Sequence, residues 1–173
     1  MGLMCSDKLV KSGAGEKGSK LLAVVRIRGT VNVPEPARAT LAMLGLHKNC
    51  HATLVDDRPS YVGMLHKAQV WLTWGEVDLP TLVELLRRRG RLRGDRPITD
   101  EYARRLGFKS VEELAKAIYE LKVDFRKLPD IKPVFRLHPP SGGYKGKIKR
   151  SFKEGGVWGY RGQAINELLK KMM

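Results

Sequence analysis

The stretch LLAVVRIRGTVNVPEPARATLAMLGLHKNCHATLVDD, residues 21–57, decides the fold. Ala23, Val25 and Ile27 alternate with Val24, Arg26 and Arg28, the period-two pattern of a strand over 21–29. Arg26 and Arg28 share one face of that strand, facing either solvent or phosphate. Asn32, Val33, Pro34 and Glu35 then open a helix, because proline's fixed φ suits a first turn and an acid suits its positive end. Ala37, Leu41 and Leu44 fall on one helical face. Gly45 ends the helix, and Leu46 is the apolar residue that follows a glycine cap. His47, Lys48 and Asn49 form an exposed basic turn. Ala52 and Leu54 alternate with Thr53 and Val55 in a second strand that reaches Asp56. The unit is strand–helix–strand.

Downstream, Pro59 and Ser60 start a second helix, whose stripe of Tyr61, Met64, Leu65, Ala68 and Trp71 reads as core. Residues 70–74 either end that helix or form an edge strand. Asp78 is placed to cap a third helix with Leu82, Leu85 and Leu86 buried. Thr99 opens a short helix through Leu106 that Gly107 stops. Ser110 and Glu113 have the spacing of a capping box for a helix carrying Leu114, Ala117, Ile118 and Leu121. Residues 78–128 therefore read as a helical insertion after a core half at 21–77. A last strand runs from Val134 to His138, with Phe135 and Leu137 on one side and Arg136 and His138 on the other. Pro139 and Pro140 end it. Gln163 to Met172 is an amphipathic helix with Ala164, Ile165, Leu168, Leu169 and Met172 inward. Residues 1–20 read as a disordered tail. Gly13, Gly15 and Gly18 match a dinucleotide-binding spacing there, but no strand precedes them.

Charge points to the partner. The net charge is +15, from 33 basic and 18 acidic residues. Residues 131–173 hold ten of the lysines and arginines against two acids, so the positive field is concentrated at the C-terminal end. Within it, HPPSGGYKGKIKRSFKEGGVWGYRG (138–162) mixes seven glycines, six cations and four aromatics. Cations meet phosphates, rings stack on bases, and glycines let backbone come close, a combination suited to folded RNA. From charge and stacking, Lys149, Arg150, Lys153, Trp158, Tyr160 and Arg161 are candidate contacts, while Phe152 is as well placed to anchor the loop. RRRGRLRGDR (87–96) carries six arginines and one acid, and either faces RNA or forms a solubilising hinge.

Other chemistry finds little support. Two cysteines, Cys5 and Cys50, exclude a disulfide framework. No apolar run approaches the roughly 20 residues that span a bilayer, and lysines and glycines interrupt the N-terminus, so the expected place is the cytosol. His47, Cys50 and His51 make half a zinc site with no second half, so these histidines, like His66 and His138, read as packing or RNA contacts. Asp56 and Asp57 are the one acid pair that suggests metal-dependent RNA cleavage, but neighbouring strand residues point to opposite faces. No cofactor is expected. A membrane-surface role for the C-terminal helix rests only on Lys170 and Lys171.

VVRIRGTVNVPEPARATLAMLGLHKNCHATLVDD, PSYVGML and TWGEVD, in that order, resemble the universal large-subunit ribosomal protein family numbered thirty (seven in eukaryotes). FRLHPPSGGYKGKIKRSFKEGGVWGYRG is similar to its archaeal and eukaryotic branch, and the short tail to the archaeal form. The resemblance covers about residues 21–172. It implies an α+β fold, a small two-layer β-α-β-α-β sandwich of ferredoxin-like kind, with strands at 21–29, 51–56 and 133–138. It implies a monomer in the ribosome that binds 23S and possibly 5S ribosomal RNA beside neighbouring ribosomal proteins, without membrane or catalysis. By position it implicates Arg26 and Arg28, then His47, Lys48 and Asn49, then Arg136, His138, Tyr144, Lys145 and Lys147.

Overall fold

The computed structural model describes residues 20–173, so the tail and its glycine pattern lie outside the described residues. The chain runs β1 (Leu21–Arg26), α1 (Glu35–Met43), β2 (His51–Asp56), α2 (Pro59–Lys67), β3 (Leu72–Glu76) and α3 (Leu79–Arg89). It continues through α4 (Asp100–Arg105), α5 (Val111–Tyr119), β4 (Phe135–Arg136), β5 (Lys147–Ser151), β6 (Gly156–Tyr160) and α6 (Ile165–Met172). The strands lie in the order β4-β2-β1-β3-β6-β5.

β1 pairs antiparallel with both β2 and β3, with Val25 opposite Ala52 on one side and Thr73 on the other. Every residue of β1 is buried, because helices cover both faces of the sheet. Leu22 and Val24 pack against Leu41 of α1, Leu44 at its C-terminal cap and Leu65 of α2. Leu21, Ala23 and Val25 lie in a second core with Leu82 and Leu85 of α3, Leu114 and Ile118 of α5, and Ile165 and Leu169 of α6. The β1-α1-β2-α2-β3 unit is the two-layer α+β sandwich of the sequence reading. The insertion and α6 add a helical layer on the opposite face, which would otherwise expose a large apolar surface.

The third core strand is 72–76, not 133–138. Thr73 and Trp74 pair with β1 on one side and, in parallel, with Gly159 and Tyr160 on the other. The segment 133–138 gives only the two-residue edge strand β4, with His51 opposite Arg136. Pro133 and Pro139 flank it, and neither has an N–H for a longer ladder. β1 stops at Arg26, three residues short of the expected end. The glycine-rich loop of 138–162 contains β5 and β6, joined by an irregular parallel ladder.

The helix ends follow local chemistry. Gly45 has φ +77°, its N–H donates to Ala42 O at 2.9 Å, and the Leu46 N–H donates to Leu41 O at 2.8 Å. That is the paired bond of a Schellman cap, with Leu46 buried behind it. Ser110 Oγ accepts from Glu113 N at 3.4 Å, and the Glu113 carboxylate accepts from Lys109 N at 2.6 Å. Asp78 and Thr99 begin helices, but neither side chain caps its own; the Asp78 N–H is taken by Asn166 Oδ1 of α6 at 3.0 Å. Gly75 has a steric role: a Cβ there would lie 2.0 Å from Gly162 O, where the chain crosses towards α6.

Candidate nucleic-acid interface

Sheet register brings distant basic segments to one end of the sheet. β1 ends where β2 and β3 begin, since Val25 faces Ala52 and Arg26 faces Leu72. Arg136 lies beside His51 at the start of β2. β6 runs parallel to β3, and Lys147 opposite Gly156 starts β5 at the same end. Arg28, the 47–49 turn, Arg136, His138 and the start of the 145–153 segment therefore lie along one end of the sheet, from its β4 edge to its β5 edge. Asp56, Asp57 and Glu76 lie at the other end, since Leu21 faces Asp56 and Leu22 faces Glu76.

Arg26 departs from the outward orientation expected of it. It is 3% exposed. Its guanidinium donates to the carbonyls of Arg28 (2.8 Å), Gly29 (2.8 Å), Leu46 (2.6 Å) and His47 (3.2 Å). A buried cation needs such partners, and a planar guanidinium can reach several carbonyls at once. Burial pulls its pKa down from the ordinary arginine value. Arg26 thus ties the 28–29 loop to the 46–47 turn and presents none of its donors outward. Arg28 is half-buried and donates to Ile148 O, joining the end of β1 to β5.

His47, Lys48 and Asn49 are exposed, and Asn49 Oδ1 braces the turn by accepting from Cys50 N at 3.0 Å. Arg136 and His138 are exposed while Phe135 and Leu137 are buried, as the alternation predicts. Arg136 reaches Asp95 at 3.6 Å, an acid held below the usual carboxylate range mainly by its bond from Lys132. Lys145, Lys147, Lys149, Arg150 and Lys153 are all exposed. Among the described residues, none of the five has a carboxylate at ion-pair distance.

The other nominated residues divide. Tyr144 is half-buried against the insertion-side core, and burial, with the Cys50 thiol beside it, pushes its hydroxyl far above the ordinary tyrosine value. Arg161 is turned inward: Nε donates to Thr73 Oγ1, Nη2 to Val157 O, each at 2.9 Å, and the guanidinium lies 4.6 Å from the Phe152 ring centre. Phe152 is therefore an anchor of the loop. Trp158 is half-buried. Tyr160 is exposed but lies towards the acidic end, where its hydroxyl donates to Glu76 Oε1 at 3.3 Å.

His51, a histidine expected to serve in packing or RNA contact rather than as a zinc ligand, lies at the basic end opposite Arg136. Its Nδ1 is buried without a partner. Burial, and then the charges of Arg136, Lys48, His47 and Arg26, hold its pKa below the ordinary value. Its place next to the 47–49 turn was the available signal. Asp56 pairs with Arg58 at 2.6 Å. Among the described residues no three His, Cys, Asp or Glu side chains are grouped to hold a metal, and no helix is long and apolar enough to cross a membrane.

Residues 22–72 match the family described as ribosomal protein L30p/L7e. The large ribosomal subunit protein uL30 of Hyperthermus butylicus is 49% identical over 173 residues, covering 94% of this chain and 96% of that one. The protein of that name from Staphylothermus marinus is 50% identical over 159 residues, covering 88% and 98%. That from Archaeoglobus fulgidus is 49% identical over 153 residues, covering 88% and 99%. With about half the residues identical along nearly the full length of these relatives, the chain belongs to the L30p/L7e family of ribosomal proteins.

Proposed function

We propose that this protein is a structural constituent of the large ribosomal subunit, and that it binds and stabilises folded ribosomal RNA with the basic end of its sheet. The observation that carries the contact surface is the exposed cation row of 145–153, which lacks acidic partners among the described residues, is bonded to Arg28 through Ile148 O, and starts at the same end of the sheet as Lys48, Arg136 and His138. Unpaired cations exchange their counterions for phosphates and draw binding free energy from that release. Arg28, His47, Lys48, Asn49, Arg136, His138, Lys145, Lys147, Lys149, Arg150 and Lys153 are the phosphate and sugar contacts. Tyr144 and Trp158 offer rings to unpaired bases. Arg26 and Arg161 are positioning residues, since their guanidinium donors are used on the protein itself. The RNA partner is 23S, close to 5S, and the protein sits there as a single copy beside other ribosomal proteins in the cytoplasm. The role needs no cofactor and no catalytic step.

Sucrose-gradient fractionation of native extract, with the protein followed by mass spectrometry, tests this. One copy per large subunit is expected, with release by a high-salt wash. Recovery only in the soluble fractions would overturn the proposal.

A further inference from the structure

The cleft between α2 and the β5–β6 segment has a use that the basic end does not explain. Its volume is about 280 Å³, and it is lined by His66 and Gln69 on one side, Trp74 on β3, and Trp158 and Tyr160 on β6, with Lys153 at its edge. Ordinary small-molecule pockets run from about 300 to 1,000 Å³. This one is therefore sized for a single planar group rather than an extended ligand.

Trp158 and Tyr160 are two apart on one strand and so share a face of the sheet. Trp74 pairs directly with Tyr160 and lies in the core on the α1/α2 side. His66 meets Trp74 edge-on, with centroids 5.7 Å apart at 87°. Flat aromatic walls favour a flat guest over an aliphatic one. The cleft also has unused polar groups. The Gln69 amide, with both donor and acceptor, makes no side-chain hydrogen bond among the described residues, whereas the Trp158 Nε1 is enclosed within the protein and out of a guest's reach. An edge of mixed donors and acceptors is the complement of such a lining. Lys153 lines the edge of the cleft, and Lys149 and Arg150 precede its Ser151–Phe152 wall, on the side away from the Glu76 carboxylate that holds the Tyr160 hydroxyl; these cations select a guest carried on a polyanionic chain.

We infer that this cleft receives one unpaired nucleobase, held between rings while the neighbouring cations take the flanking phosphates. The inference rests on the RNA-binding reading above and deepens it. Stacking of a base on an aromatic side chain is sequence-tolerant, so the site selects an extruded base and not a particular one.

The test compares the full-length protein's affinity for an oligouridylate with that for an abasic ribose-phosphate oligomer of the same length. The base-bearing oligomer is expected to bind roughly 5- to 150-fold more tightly. Trp158→Ala should remove most of that advantage and Trp158→Phe should retain it. Thermal unfolding checks each variant. If Trp158→Ala does not fold, Tyr160→Ala carries the same expectation, because Tyr160 is 43% exposed. An advantage that survives both alanine variants, or that only Tyr144→Ala removes, overturns the cleft as its source. Equal affinity of the unaltered protein for both oligomers overturns the base slot and leaves the phosphate contacts standing. Failure to bind either oligomer overturns the base slot, while the large-subunit reading stands or falls on the gradient fractionation above.

Discussion

Segments 87–96 and 145–153 are both rich in cations, yet the fold treats them in opposite ways. In the first, Arg87 reaches Glu112 at 2.9 Å, Arg88 reaches Glu84 at 2.9 Å, and Arg93 lies 4.0 Å from Asp130. Arg89 donates to the terminal Met173 oxygen. In the second, five exposed cations have no acid partner among the described residues. The difference lies in the neighbours. Helices α3 and α5 bring Glu84 and Glu112 alongside their arginines, whereas β5 is an outer strand whose cations have no carboxylate at ion-pair distance among the described residues. Composition counts cations, and packing decides which are available to a phosphate.

The largest contrast should appear in RNA binding. If six to ten phosphates are engaged, affinity falls roughly 10³- to 10⁵-fold between about 50 and 200 mM salt. Replacing Lys145, Lys147, Lys149 and Arg150 together with alanine should lower the log–log salt slope by roughly 3. Replacing Arg87, Arg88 and Arg93 should change it by less than about 1. Filter binding across a salt series measures both. Equal losses would erase the contrast between the segments.

A buried cation gives the next largest effect, on stability rather than binding. Arg26→Met leaves four carbonyls without their charged donor and should cost about 3 kcal/mol. For a chain of this size that lowers Tm by roughly 6–12 °C. Lys147→Met, at an exposed site, should stay within about 0.5 kcal/mol. Calorimetry separates the two, and a small change for Arg26→Met would mean that the 28–29 loop and the 46–47 turn hold without it.

Alkaline pH probes the insertion. Burial, aided by the charge of Asp130, raises Tyr102 to about 12, and its hydroxyl donates to Pro129 O. The raised value means that the folded state holds this proton more tightly than the unfolded chain does. The associated stability is present in full below about pH 10 and lost as pH rises towards about 12, by up to roughly 2–3 kcal/mol. In Tyr102→Phe that part of the pH dependence should vanish from denaturant unfolding curves. An unchanged alkaline slope would place the titrating group elsewhere.

Much of this was legible beforehand. The Gly45 cap and the Ser110 cap are local, with bonds spanning a few residues, and each element of 21–57 carries its own period, so these were readable from the chain. β3 was legible only as one of two readings of 70–74, and then as an edge strand, because TWGE (73–76) does not alternate and is an inner strand by virtue of β1 and β6 on its two sides. Val134–His138 alternates well but lies between prolines at the sheet edge. The inward turn of Arg26 and Arg161 was equally hidden, since Leu46 O and Thr73 Oγ1 are distant in the chain. The placement of Arg28, Lys48, Arg136 and Lys147 along one end of the sheet is a product of strand register, which no local pattern encodes.

The smallest effect bears most directly on the opening contrast. Arg88 and Glu84 are one helical turn apart on α3, with the acid on the N-terminal side and the arginine in the last turn, the order that the helix dipole favours. Their side chains are 60% and 35% exposed, so water screens the pair. A double-mutant cycle should give a coupling of about 0.3–0.5 kcal/mol. That is enough to bias Arg88 towards its own helix and too little to keep it from a nearby phosphate. A coupling of zero would leave the insertion arginines as available as those of β5, and the distinction would then rest on where the RNA lies. A coupling well above 1 kcal/mol would make them part of the scaffold, and the segment 145–153 would be the principal cationic surface left to the RNA.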